Sequence, residues 1–162
     1  MYPKKQPQKI EFLKRTNEIL QNYQGKYKVT LLINCSVGLL ILPKEKWDKY
    51  LPKNDVNRKD WGIAPEDMSI CKADYSKESE FDATESDYSV KNIARHLRNS
   101  IAHYRFIFSS QSEKIEKITF DDKKGDKTNF KLEMSVKDFR KFLMKLTETM
   151  LNKIDNQRIK IN

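Results

Sequence analysis

The feature that most constrains the fold is the run VTLLINCSVGLLIL over residues 29–42, which is apolar on almost every side. A buried strand and a buried helix both fit such a run, but its length favours a helix, and Pro43 supplies a stop. A helix that is apolar all round belongs at the centre of a bundle or at a subunit interface. The run is too short to cross a bilayer, and it carries Asn34 and Ser36.

Other segments supply helices that can surround this run. The helical spacing of apolar residues predicts a helix over residues 9–23. A long helix is predicted from about Tyr88 to Ser109, and a last helix follows an S-x-x-D capping box at Ser135 and Asp138. The apolar stripe of this last helix consists of Phe139, Phe142, Leu143, Leu146, Met150 and Ile154.

Before the last helix, two runs alternate apolar and polar residues on either side of a polar segment with Gly125, which predicts a β-hairpin. The expected fold class is mainly α, a helical bundle with a small β-hairpin before the C-terminal helix. We expect one domain over residues 1–162, with an irregular and partly acidic insert at about 43–87. The acidic block at 74–88 is expected either to be exposed or to lie against a basic face of its own chain.

The chain is basic, with a formal charge of +9 and a pI of about 9.4. This balance favours polyanions such as RNA, DNA, nucleotides or an acidic membrane surface, although a solvated lysine-coated surface explains it equally well. The two cysteines have no paired metal-ligand spacing and the chain has only two histidines, so neither a structural zinc site nor any other metal is expected. Cys35 is expected to be a reduced core thiol. A signal peptide is not evident at the N-terminus, and a cytoplasmic location is expected.

Residues 95–106, RHLRNSIAHYRF, hold both histidines of the chain. At 100° per residue, one face of the predicted helix is apolar and should be buried. This face consists of Val90, Ile93, Ala94, Leu97, Ile101, Tyr104 and Phe108. The two flanks are polar, one formed by Lys91, Arg95, Arg98 and Arg105, and the other by His96, Asn99, Ser100 and His103.

Arg98 and His103 lie about 140° apart around the helix axis, so they should border its solvent side from two directions. A second helix would have to close a cleft between them, and an identical subunit could supply it by two-fold symmetry. Histidine can transfer protons near neutral pH and arginine can bind a phosphate, which together suit phosphodiester chemistry. On spacing alone, a basic surface helix explains the same residues.

The segment LRNSIAH over residues 97–103 resembles the R-N-x-x-x-H signature of the HEPN superfamily. The segment LLILPKEKW, the predicted hairpin and FRKFL in the last helix extend the similarity to a plasmid- and genome-encoded bacterial HEPN subfamily over most of residues 9–154. The resemblance implies an α-helical bundle that dimerises around a shared cleft. It also implies a metal-independent endoribonuclease without a cofactor, acting in a toxin–antitoxin or phage-defence setting.

Carried over by the resemblance, His103 performs acid/base transfer as the RNA 2′-hydroxyl attacks the adjacent phosphate, and Arg98 steadies that phosphate. Asn99 matches the polar residue after the arginine, and the products end in a 2′,3′-cyclic phosphate and a 5′-hydroxyl. In toxins that pair with a nucleotidyltransferase, a tyrosine lies two positions after the histidine. Arg105 stands there in this chain, so the resemblance does not extend to that modification site.

The expected partners are RNA, a second copy of the chain and an antitoxin protein, with no membrane. Lys91, Arg95 and Arg105 are expected to contact the RNA backbone, or else to be solvated charges. His96 and Ser100 are candidates to line the cleft, although a surface histidine is the plainer interpretation of His96. Two alternatives stay open: a non-catalytic HEPN module that binds a nucleotide or a partner protein, and a basic helical DNA-binding protein. The second is disfavoured because the candidate helix uses one face for the core.

Overall fold

The computed structural model describes residues 8–41, 48–56, 58–70, 88–111 and 113–159. Its α-helices are α1 (Gln8–Asn22), α2 (Lys28–Ser36), α3 (Arg58–Trp61), α4 (Val90–Ala102) and α5 (Val136–Ile159). Its strands are β1 (Met68–Ile70), β2 (Phe106–Ser109), β3 (Lys117–Lys124) and β4 (Lys127–Ser135). The described chain is therefore mainly α with a small antiparallel sheet.

The apolar run forms a helix, as predicted, but it is buried on one side only, since Thr30, Asn34 and Val37 are exposed. α2 ends at Ser36 and continues as a π-helical turn over Val37–Ile41, while Leu42 and Pro43 lie outside the described residues. This turn packs closely on α1, because a Cβ added to Gly38 would lie 3.1 Å from the ring of Phe12. Cys35 is buried with a free thiol, as predicted, and burial raises its pKa.

The last helix also agrees with its prediction. All six residues of the apolar stripe are buried. The capping box forms at its start, because the backbone N–H of Asp138 donates to Ser135 Oγ over 3.0 Å and that hydroxyl donates to the Asp138 carboxylate over 2.8 Å. α3 contacts α5 through the rings of Trp61 and Phe142, whose centroids are 5.7 Å apart.

The predicted hairpin is confirmed by the pairing of β3 with β4 around a left-handed Gly125 (φ 62°). It is part of a larger sheet with the order β1-β4-β3-β2, in which all neighbours are antiparallel. Ile118 and Phe120 of β3 are buried on the face of the sheet that packs against α4. β1 lies within the predicted irregular insert, so the insert contributes an edge strand to the sheet.

The predicted long helix is wrong in its C-terminal part. α4 ends at Ala102, and the residues predicted to be its last turn form the strand β2. Tyr104 ends the helix by taking a left-handed conformation with φ 54°. Tyr104 and Phe108 therefore leave the predicted core face and are 87% and 39% exposed.

Much of the insert lies outside the described residues, including all of the acidic block before Tyr88. The described part of the insert contains a 3₁₀ turn over Asp48–Tyr50. Among the described helices, none combines the length and the apolar character that crossing a bilayer requires.

Candidate active site

The N-terminus of α4 is held by the described part of the insert. The side chain of Ser89 accepts a hydrogen bond from the backbone N–H of Asn92 over 3.0 Å. The first two N–H groups of α4 donate to the carbonyls of Asn54 and Pro52, each over 2.9 Å. These bonds satisfy N–H groups that a helix leaves unpaired at its start, so the helix that carries the motif begins at a defined place.

The C-terminus of α4 is closed by a pair of backbone hydrogen bonds. The N–H of Arg105 donates to the carbonyl of Ser100 over 2.7 Å, and the N–H of Tyr104 donates to the carbonyl of Ile101 over 3.2 Å. This pattern is a Schellman motif, in which the left-handed residue is usually glycine. His103 is the last residue before that left-handed position, and its side chain is exposed.

A buried carboxylate ties the middle of α4 to the sheet. Nδ1 of His96 lies 2.9 Å from Oδ2 of Asp122, and the side-chain amide of Asn99 donates to the same oxygen over 3.1 Å. Nη1 of Arg105 lies 3.9 Å from the other carboxylate oxygen. The ring of His96 also stacks on Phe130 with a centroid distance of 4.5 Å. We call Asp122, His96, Asn99 and Arg105 the Asp122 cluster.

The Asp122 cluster favours an ionised carboxylate. Burial by itself would raise the pKa of Asp122. The hydrogen bonds from His96 and Asn99 and a backbone hydrogen bond from Lys123 together lower this pKa below its ordinary value. An ionised carboxylate can only accept hydrogen bonds, so the proton between the two side chains belongs to Nδ1 of His96. The cluster thereby fixes both the ring of His96 and the amide of Asn99.

The structure corrects the prediction for the basic flank of α4. Arg98 was predicted to border solvent, but its side chain is buried and the residue is only 6% exposed. Arg95 is also buried, and its guanidinium donates to the side chain of Asn92. Lys91 is half-buried. Arg95 is therefore not a solvated charge, and in this chain an RNA backbone could not reach it without a rearrangement.

The other flank is corrected as well. His96 is 1% exposed, so the interpretation as a surface histidine is wrong, and it cannot line an open cleft. Ser100 is buried, and its hydroxyl donates to the carbonyl of His96 over 2.8 Å. Asn99 is half-buried because it contacts Asp122. Of the three predicted catalytic residues, His103 alone is exposed.

Asp122 is the site residue that sequence reasoning missed. It lies two positions after Phe120 and four after Ile118, so strand alternation places it on the same buried face. A carboxylate on a buried face needs hydrogen-bond donors. That signal was available in the sequence, and it would have directed attention to His96 and Asn99 on the facing helix.

The arrangement can support proton transfer at His103. Within the described ranges, no group of three or more His, Cys, Asp or Glu side chains could hold a metal ion. Arg105 is partly exposed next to His103, with the side chain at 34%, and it is the cation nearest in sequence to that imidazole. The end of α4 therefore presents an imidazole and a guanidinium on a turn of fixed geometry.

A mainly α domain that carries Arg-Asn-x-x-x-His at the end of a buried helix defines a HEPN-like class of protein. The comparison with family models agrees, because residues 1–157 match the model described as HEPN pEK499 p136. The chain therefore belongs to the HEPN pEK499 p136 family, a HEPN-superfamily domain. Searches among curated proteins and among solved structures found no match.

Proposed function

We propose that this chain is a HEPN-type endoribonuclease that cleaves RNA without a metal ion. The observation that carries the proposal is the position of His103, which is exposed at the end of α4 where the family motif places its acid/base group. Membership of the HEPN pEK499 p136 family over residues 1–157 and the formal charge of +9 support an RNA substrate. We infer that the helices form the bundle typical of that superfamily.

The reaction needs one proton removed and one proton delivered. An imidazole can both accept and donate a proton, so His103 can accept the proton of the RNA 2′-hydroxyl or donate one to the departing 5′-oxygen. The 2′-oxygen forms a bond to the phosphorus, and the bond from phosphorus to the 5′-oxygen breaks. The products are a 2′,3′-cyclic phosphate and a 5′-hydroxyl. A second His103 from an identical subunit would allow one imidazole to accept a proton while the other donates.

The other site residues are assigned roles from the family motif and from their contacts. Arg98 is assigned to the scissile phosphate because it matches the motif arginine, and since it is 6% exposed, this role requires a rearrangement that opens its guanidinium to RNA. Asn99 positions the turn that holds His103, because its backbone carbonyl accepts from the N–H of His103. Arg105 is a partly exposed cation beside that turn, and the half-buried Lys91 lies in the first turn of α4. We further propose a homodimer as the active form, an antitoxin protein as partner, and a cytoplasmic toxin–antitoxin or phage-defence setting.

The test is RNA cleavage by wild type beside His103→Ala, with and without EDTA. Wild type should cut in EDTA and leave 2′,3′-cyclic phosphate ends, and His103→Ala should lose about 100-fold or more of the rate. Because the His103 side chain is exposed, this variant should unfold at the wild-type temperature. Lys127→Ala, which removes an exposed cation at the hairpin tip, is the matched control and should cut normally.

The proposal fails if wild type leaves diverse RNAs intact under both conditions, or if His103→Ala cuts equally well. One observation favours a second candidate, a non-catalytic HEPN module that binds a nucleotide or a partner protein. Arg98 is 6% exposed, whereas an arginine that binds a phosphate is usually open to its ligand. A specific thermal shift with a nucleotide, in the absence of RNA cleavage, would support that candidate.

A further inference from the structure

Tyr104 combines two features that are unfavourable for a tyrosine. Its φ of 54° lies in the left-handed region, where side chains other than glycine are strained. Its ring is 87% exposed, although a tyrosine of this size normally gains from burial. Strained residues cluster at functional sites, and Tyr104 is the direct neighbour of His103.

The ring of Tyr104 begins an aromatic row along the edge of the described sheet. It lies against Phe106 with a centroid distance of 6.1 Å and an interplanar angle of 26°. Phe106 contacts Phe108 with centroids 5.5 Å apart, and β2 pairs with β3 on one side. We call Tyr104, Phe106 and Phe108 the aromatic row. Its outermost ring is the one nearest in sequence to His103.

The charges around the aromatic row decide which ligand it fits. Phe106 packs against the core, so Tyr104 is the ring that the row offers to a ligand. Arg105 follows Tyr104 in the sequence, and its partly exposed guanidinium donates to the carbonyl of Lys123 over 3.3 Å. An exposed aromatic ring beside a cation is typical of single-stranded nucleic-acid binding, in which bases stack on rings and cations follow the phosphates.

We propose that Tyr104 stacks on an unpaired base of the RNA strand and so positions the adjacent phosphate at His103. This inference rests on the proposed function and adds a residue that contacts the substrate. A base inside a duplex has both faces covered by its neighbours, so its ring cannot also stack on Tyr104. Phe106 supports the tyrosine ring from behind and keeps it beside His103.

The binding test uses an uncleavable strand, so it does not depend on catalysis. A fluorescein-labelled, fully 2′-O-methylated single strand is titrated with wild type, Tyr104→Phe and Tyr104→Gly, and a hairpin duplex of the same composition is the second probe. Tyr104→Phe should bind the single strand as wild type does. Tyr104→Gly should bind it about 5- to 150-fold more weakly, the range that loss of one stacked base implies.

Glycine suits the left-handed position, so Tyr104→Gly should fold at least as well as wild type. Tyr27→Gly is the matched control, because Tyr27 is also an exposed tyrosine and precedes α2, where glycine is tolerated. It should bind the single strand normally. The fluorescence of a 2-aminopurine base in the strand should be quenched strongly by wild type and much less by Tyr104→Gly. A purely structural role of Tyr104 would not produce this difference.

Several outcomes would overturn the inference. If wild type and Tyr104→Gly bind the single strand equally well, Tyr104 does not stack on a base and the inference is wrong. The proposed function still stands in that case if wild type cleaves RNA. Binding without any cleavage would contradict the proposed function, while a loss in Tyr104→Gly would still support stacking. If Tyr104→Gly changes the oligomeric state and leaves RNA binding unaltered, the aromatic row is a subunit interface and the inference is wrong.

Discussion

Asp122→Ala tests whether the Asp122 cluster is what holds the end of α4 against the sheet. The substitution removes the acceptor shared by His96 and Asn99 and the carboxylate that faces Arg105. The backbone of β3 should be unaffected, since alanine is compatible with a strand. Its effect should therefore come from the lost hydrogen bonds and from the polar groups that they leave unpaired.

The expected loss of stability can be worked from these contacts. A buried donor left without an acceptor costs about 1–3 kcal/mol. His96 is fully buried and belongs near the upper end of that range, whereas the half-buried Asn99 can turn toward water and belongs near the lower end. The costs of the two unpaired donors sum to about 3–4 kcal/mol. Because the substitution also removes the cost of burying the Asp122 carboxylate, the net loss of unfolding free energy should be about 3 kcal/mol. That is a large part of the ~5–15 kcal/mol typical of a whole domain.

The measurement is urea unfolding at neutral pH, read by far-UV circular dichroism, with the free energy of unfolding taken from the midpoint at constant slope. The matched control is Asp121→Ala, because Asp121 precedes it in β3 on the opposite face and its nearest cation, Lys123, is 3.8 Å away. That surface pair should contribute less than about 1 kcal/mol. If Asp122→Ala costs no more than Asp121→Ala, the Asp122 cluster does not hold the helix end.

Three further predictions follow from single contacts. The pKa of Asp122 is lowered on folding, so its ionised carboxylate stabilises the folded state. This stabilisation is fully present above the unfolded-state pKa of about 3.9 and is lost as the pH falls through the folded-state pKa. The urea midpoints of wild type and Asp122→Ala should therefore converge as the pH is lowered. Tyr104→Gly should raise the free energy of unfolding by about 0.5–1 kcal/mol, since relief of the left-handed strain exceeds the added chain entropy, and a lower thermal midpoint would contradict this. Ser135→Ala should cost about 1 kcal/mol in urea unfolding by removing the capping box of α5, and an unchanged midpoint would show that the box does not stabilise the helix.

The elements that the sequence predicted correctly are those with a long and uninterrupted period. α1, α5 and the β3–β4 hairpin carry apolar residues at helical or alternating spacing, and the capping box of α5 and Gly125 of the hairpin mark where these two elements start and turn. The apolar run is an exception, because its length and not a period indicated a helix. In α5 the pattern agrees with the fold because every residue of the apolar stripe is buried.

The strands β1 and β2 were not predicted, for different reasons. β1 has three residues, which is too short for alternation to show, and its place in the sheet depends on pairing with β4. β2 follows α4 without glycine or proline between them. Its apolar residues also fit a continued helix, so the period alone could not separate the two structures.

The burial of Arg95, Arg98 and His96 was not predictable from a helical wheel. A wheel assigns polar flanks to solvent, which holds when a helix has one packed face. α4 packs against the sheet on one side and against the π turn after α2 on another, and its start is covered by the segment containing Asn54. With cover from several directions, polar side chains of the helix become buried and must find hydrogen-bond partners there.

The error at the end of α4 has the largest consequence for function. A helix continued through Phe108 would have buried Tyr104 and placed His103 on a helical flank about 140° from Arg98. One left-handed residue changes both outcomes, because it turns the chain into β2 directly after His103 and leaves the tyrosine ring in solvent. The same apolar residues thus form core or exposed surface according to where the helix ends. Glycine would make this turn with less strain, and the proposed stacking of Tyr104 on a base gives the tyrosine ring a function at this position.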